Sequence, residues 1–205
     1  DCIVVALKNR STPAAEAFAE ARGAGEWLIG LGIPQVYFKY CSTFDSTDAG
    51  NIGPVGDALA ELVGAEAVVF CPATPEHGRT TYLGHHFVGD ALLSESPLRD
   101  HPLNPMRDPD LRRVLARQTS TPVTSLTLPT IQAGEAANAL ATHTTRTFVI
   151  ADAATDDDVR AIARAVRKAP LVTGGAALAA MLAEIHVAET AVGAAAVVEV
   201  PAGRA

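Results

Sequence analysis

Residues 39–53 read KYCSTFDSTDAGNIG, and they bring an ammonium, several hydroxyls, carboxylates and a carboxamide into one short stretch. Such a set suits a small polyhydroxy acid. The hydroxyls of Ser42, Ser46 and Thr47 and the amide of Asn51 can hydrogen-bond a polyol, while Lys39 can pair with a carboxylate. The stretch follows a strand-like run and leads through Gly53 into a helix beginning near Pro54, whose free N–H groups would attract an anion. The competing reading is a polar loop whose Ser, Thr and Asp side chains only cap the next helix. No GxxxxGK[ST] phosphate loop and no GxGxxG fingerprint occurs anywhere in the chain.

Other residues could serve the same ligand. Arg10 follows an apolar run and could grip a carboxylate with two parallel N–H bonds, which Lys39 as a point charge cannot; the alternative is a solvated arginine at a helix entry. His85, His86 and His101 lie near one another in sequence but lack the carboxylate spacing of a zinc or iron site, so no metal is expected there. His85 is the histidine assigned to substrate or structure, with acid–base work open to it because its ordinary pKa is near neutrality. Gly174 and Gly175, between a strand and a helix, would let backbone N–H groups approach an anion, or would simply make a tight turn. Asp152 ends a strand and could face the same place.

These residues need a scaffold, and the apolar pattern supplies one. Runs at 3–7, 36–40, 67–71, 123–126, 147–151 and 171–173 read as strands, and helix-period segments fall at 13–31, 54–63, 110–118, 135–143, 156–168 and 176–185. Strand and helix alternate with crossover lengths that favour a parallel sheet. The expected fold is α/β: a doubly wound, mostly parallel sheet with helices on both faces, Rossmann-like and three-layered. A long loop-rich insertion at 72–109, with one strand at 79–83, is placed at the carboxyl edge of the sheet, where such folds bind ligands.

The chain has 205 residues, 48% of them hydrophobic and 19% charged, which suits one main domain. Its net charge of −7, from 23 acidic against 16 basic residues, argues against nucleic acid or anionic membranes as partners. Cys2, Cys41 and Cys71 have no zinc or disulfide spacing and read as reduced thiols, and no signal peptide is visible, so a cytoplasmic location is expected. The chain opens inside an apolar run and closes on a weakly apolar tail, which reads as a fragment. The expected division is a ligand-binding domain at 1–190 and a linker at 191–205.

KYCSTFDSTDAGNIGPV resembles the substrate-domain signature of the four-carbon acid sugar kinases. Two further stretches agree with it: CPATPEHGRTTYLGH at 71–85, and HFVGDALLSES at 86–96 leading into HPLNPM at 101–106. The resemblance covers nearly the whole chain, and the CSTF spelling between Lys39 and Asp45 is similar to the 3-oxo-tetronate kinase branch rather than the threonate or erythronate kinases. It implies transfer of the γ-phosphoryl of ATP, with Mg2+, to the terminal hydroxyl of a four-carbon sugar acid. It also implies that the nucleotide is held mainly by a further domain; the family's DDxTGA-like opening is not in this chain. Arg79 then joins the substrate-facing residues, and Asp45 becomes the candidate to orient or deprotonate the attacked hydroxyl. The expected partner is the sugar acid, with a homodimer allowed. A non-catalytic sugar-acid-binding module is the alternative.

Overall fold

A computed structural model describes residues 2–189, so the tail expected to be a linker lies outside the described residues. The main sheet holds β1 (Val36–Lys39), β2 (Ala67–Cys71), β6 (Val123–Leu126), β7 (Thr147–Ala151) and β8 (Leu171–Gly174) in the order β1-β8-β2-β7-β6. Every pairing within it is parallel.

Alternation along these strands creates the layers. Val68 and Phe70 of β2 join one core with Phe148, Ile150 and Leu171, under α1 (Ala14–Gly30), α2 (Ile52–Val63) and α3 (Leu111–Ala116). Val69 and Cys71 point the other way, with Val149, Ala151 and Val172. That second core is roofed by α4 (Leu128–Gln132), α5 (Ala136–Ala141), α6 (Asp156–Val166) and α7 (Ala176–Glu189). Successive strand residues face opposite sides, so strands apolar throughout are buried on both faces. The doubly wound expectation therefore holds. Helix α6 starts on a capping box, in which the Thr155 hydroxyl takes the Asp158 N–H and the Asp158 carboxylate takes the Thr155 N–H.

Residues 3–7 do not form the expected strand. Ile3, Val4 and Val5 are 41%, 85% and 40% exposed, and the stretch joins no ladder. An apolar β-branched run becomes a strand only where a neighbour takes its N–H and C=O groups, and β1 pairs on one side only, with β8.

The insertion is more ordered than expected. It carries an antiparallel sheet of β3 (Arg79–Tyr82), β4 (His85–Val88) and β5 (Ala91–Leu92). This sheet is fastened over the carboxyl edge of the main one: the Thr81 N–H donates to the Ala153 carbonyl at 2.8 Å, and the Ala153 N–H returns a bond to Thr81 at 2.9 Å. At the hairpin tip Leu83 and Gly84 have φ of 49° and 74°. Two consecutive positive values are what a type I′ two-residue hairpin turn requires, and they are costly for a leucine. The buried Asp152 carboxylate offsets that cost by accepting the N–H groups of Leu83 and Gly84, and it also takes that of Leu128 at the start of α4. Among the described residues no helix is long and apolar enough to cross a membrane.

Candidate functional site

Strand β1 ends at Lys39, and the chain then turns back on an aromatic anchor. Phe44 is fully buried with φ 53°, its ring 5.2 Å edge-on from Tyr40, which in turn stacks 6.0 Å from Phe70. A left-handed non-glycine residue costs about 1–2 kcal/mol, and burying a phenyl ring recovers roughly 2–3 kcal/mol. Pinning Phe44 inward fixes the path of the polar residues on either side of it. The Tyr40 hydroxyl, 3.0 Å from the Thr173 hydroxyl, fixes the other end of the turn to β8.

The polar groups of the loop are mostly committed to one another. Thr43 donates to one oxygen of the buried Asp45, Arg10 faces the other at 3.5 Å, and the Cys41 thiol lies 3.1 Å from the Thr43 hydroxyl. Asn51 donates to the carbonyls of Asn9 at 2.6 Å and Thr12 at 3.0 Å, tying the loop to the approach to α1. Gln118, just past α3, donates to the Ser46 hydroxyl at 2.7 Å and the Thr47 carbonyl at 2.8 Å, and its oxygen accepts the Gly53 N–H at 2.9 Å. Nothing in the sequence marks this glutamine.

These bonds change the expected roles. The start of α2 is not an open anion site: Gly53 gives its N–H to Gln118, and Pro54 has none. The Gly175 N–H is likewise taken by the Cys71 carbonyl at 2.9 Å. Both glycines of that turn are demanded by close approach, since a Cβ on Gly174 would lie 2.7 Å from the Cys71 oxygen, and one on Gly175 2.6 Å from the Pro72 oxygen. Ser46, Asn51, Gly53, Gly174 and Gly175 thus hold the shape of the site.

Groups with spare capacity remain around them. Lys39 is exposed and forms no ion pair among the described residues; it stands on the same face of β1 as Tyr37, whose hydroxyl donates to the Gly175 carbonyl at 2.6 Å. Arg10 is 59% exposed against 8% for its partner Asp45, so most of its N–H groups face outward. Arg79 is bonded through one nitrogen to the His77 carbonyl. The side chains of Ser42 and Thr47 are half-buried.

Register decides between the adjacent histidines. His85 pairs with Tyr82 and His86 with Thr81, so the two rings leave opposite faces of the hairpin. The His85 ring stays near the surface, with Nδ1 3.0 Å from the Leu83 carbonyl. His86 is fully buried, with Nδ1 3.0 Å from the Thr81 hydroxyl. Burial pushes its pKa down to about 4, against the pull of the Ser42 carbonyl and helped by the charge of Arg79. The buried Nε2 has no hydrogen-bond partner. The inward histidine is the one beside the loop.

On the outer side of the loop lies a cleft of about 740 Å³, walled by Thr47, Asp48, Met106, Arg107 and Arg117. Its charges are largely paired. Asp108 takes Arg113 at 2.6 Å and Arg117 at 3.0 Å, and Arg117 also meets Asp48 at 3.3 Å. These arginines hold the Asp108 carboxyl down at about 2, against the effect of its partial burial. Among the described residues no group of three or more His, Cys, Asp or Glu side chains is placed to hold a metal ion. Asp45 and Asp152, the carboxylates nearest the sheet's carboxyl edge, are engaged as above. This donor set does not fit a nucleotide with its magnesium.

Comparison with known proteins agrees with this architecture. Residues 1–182 match the family described as the sugar-binding N-terminal domain. A Burkholderia multivorans protein named 3-oxo-tetronate kinase is 51% identical over 188 residues, covering 90% of this chain and 44% of that protein. The chain thus spans less than half the length of this curated relative. A crystal structure of a Haemophilus influenzae protein superposes with a TM-score of 0.87 at 39% identity, covering 92% of this chain and 47% of that one. A Bordetella bronchiseptica domain of unknown function, solved with bound citrate as a domain-swapped dimer, gives a TM-score of 0.72 at 29% identity, over 88% of this chain and 43% of that one.

Proposed function

The chain belongs to the sugar-binding N-terminal domain family, and on that footing we propose that it is the acid-holding part of an ATP-dependent kinase that phosphorylates 3-oxo-tetronate at its terminal hydroxyl. The observation that carries this reading is the loop at 39–53: a rigid, internally bonded turn at the carboxyl end of β1, with Lys39, Arg10 and Arg79 still able to take a carboxylate. Relatives named 3-oxo-tetronate kinase support the choice of acid, and citrate in the Bordetella structure supports a carboxylate ligand.

In this reading Lys39 and Arg79 hold the acid's carboxylate, and Arg10 is shared between it and Asp45. Ser42 and Thr47 meet the hydroxyls. Asp45, oriented by Thr43 and Arg10, aligns or deprotonates the attacked hydroxyl, since phosphoryl transfer depends chiefly on positioning and charge neutralisation. Residues 1–190 form the acid-binding domain with its insertion at 72–109, and 191–205 lead to a domain that supplies ATP and Mg2+. Three unpaired cysteines support a cytoplasmic setting, and the Bordetella dimer makes a homodimer the proposed assembly.

The test is a coupled ADP-release assay on the full-length protein with 3-oxo-tetronate, threonate and erythronate. Turnover is expected to be fastest with 3-oxo-tetronate. No turnover with any of the three sinks the kinase reading and favours a sugar-acid-binding module without catalysis.

A further inference from the structure

Gln118 has no assigned role, yet it bonds the middle and the far end of the loop that the proposed function depends on. Its amide nitrogen reaches Ser46 and Thr47 on the incoming side, and its oxygen reaches Gly53 in the first turn of α2. The fit is close: a Cβ on Gly53 would lie 2.7 Å from the Gln118 Cβ, and one on Gly50 would lie 1.9 Å from the Ser46 hydroxyl that Gln118 holds. The neighbouring Arg117 takes Asp48 at 3.3 Å, so two consecutive residues after α3 grip the same loop. The Asn51 side chain is occupied at Asn9 and Thr12 and gives α2 no side-chain cap, which leaves Gln118 as the group that caps Gly53.

We propose that Gln118 is a positioning residue for sugar-acid binding, a clasp that sets where Thr47 meets the ligand without touching the ligand itself. This rests on the reading of the loop as the acid site. The carboxamide is required as such, because one end must donate and the other accept. A glutamate of the same shape keeps an acceptor for Gly53 but places an oxygen against the Thr47 carbonyl, opening one side of the clasp. A loop freed on that side samples many arrangements, and affinity falls by the fraction that remains competent.

The test uses the full-length protein as wild type, Gln118→Glu and Gln118→Ala. Calorimetric binding of 3-oxo-tetronate is measured alongside KM for acid and for ATP, with amide exchange over 46–53 and thermal midpoints as companions. The expected result is at least tenfold weaker acid binding and a matching rise in acid KM in both variants, with KM for ATP within twofold and faster exchange in the loop. Acid affinity within twofold of wild type in a folded Gln118→Glu variant overturns the positioning role while leaving the site reading in place. Failure of the wild type to bind any four-carbon acid overturns the site reading, and the positioning role with it.

Discussion

His86 offers a pH-dependent test of the packing between the insertion and the loop. Its ring is fully buried, and desolvation is the main cause of a pKa lowered from 6.5 to about 4. Above pH 6.5 the ring is neutral in both folded and unfolded chains and contributes no pH dependence. As pH falls from 6.5 towards 4, the unfolded chain takes up a proton that the folded ring refuses, so stability is lost through that window and levels off below it. With those two values, the loss at pH 4.5 relative to pH 7 comes to about 2.5 kcal/mol. The carboxylates held down by arginine act lower: Asp108, at about 2, loses its stabilising effect only as pH drops below its ordinary 3.8. Urea unfolding of wild type and His86→Leu at pH 7 and 4.5 separates these effects. The leucine variant should lack about 2.5 kcal/mol of the acid-side loss while unfolding with the same urea dependence. An equal loss in both proteins would mean that His86 titrates in the folded protein as it does in the unfolded chain, against a ring held neutral by burial.

Three further outcomes follow from the geometry. Asp152→Ala strips the acceptor from the N–H groups of Leu83, Gly84 and Leu128, and should cost about 3 kcal/mol in chemical denaturation, with faster amide exchange at the hairpin tip. Gly175→Ala drives a methyl to within 2.6 Å of the Pro72 carbonyl; a loss of about 2 kcal/mol is expected, and an unchanged thermal midpoint would show that the turn can yield. If the full-length protein is the proposed kinase, Lys39→Ala should raise its KM for the sugar acid about tenfold while leaving stability within about 0.5 kcal/mol, since the side chain is exposed and forms no ion pair among the described residues.

The layered fold was legible because its two central strands β2 and β7 are almost wholly apolar and the edge strand β6 still opens and closes on apolar residues. The runs at Ala67–Cys71, Val123–Leu126 and Thr147–Ala151 fall where the pattern places them. The same pattern misled at residues 3–7, where an equally apolar run pairs with no strand, because pairing belongs to the neighbour as much as to the run. Strands β4 and β5 escaped notice because His85-His86 breaks the apolar pattern and Ala91–Leu92 is too short to show one. Helix α4 was hidden by a proline that reads as a turn but occupies the tolerated first turn. In the site, the loop and its cations were visible as residue types. Which of His85 and His86 turns inward could not be read without strand register. Gln118 could not be found at all, since its bonds span 65 to 72 residues and follow no local pattern.

In the proposed function the loop after β1, with Lys39, Arg10 and Arg79, holds the carboxylate of a four-carbon acid. A crystal structure of the full-length protein with 3-oxo-tetronate bound tests it most directly. The carboxylate is expected within salt-bridge distance of Lys39 or Arg79, the acid's hydroxyls at Ser42 and Thr47, and Gln118 still bonded to Ser46 and Gly53. An acid bound elsewhere, with Lys39 and Arg79 left in solvent, would contradict it.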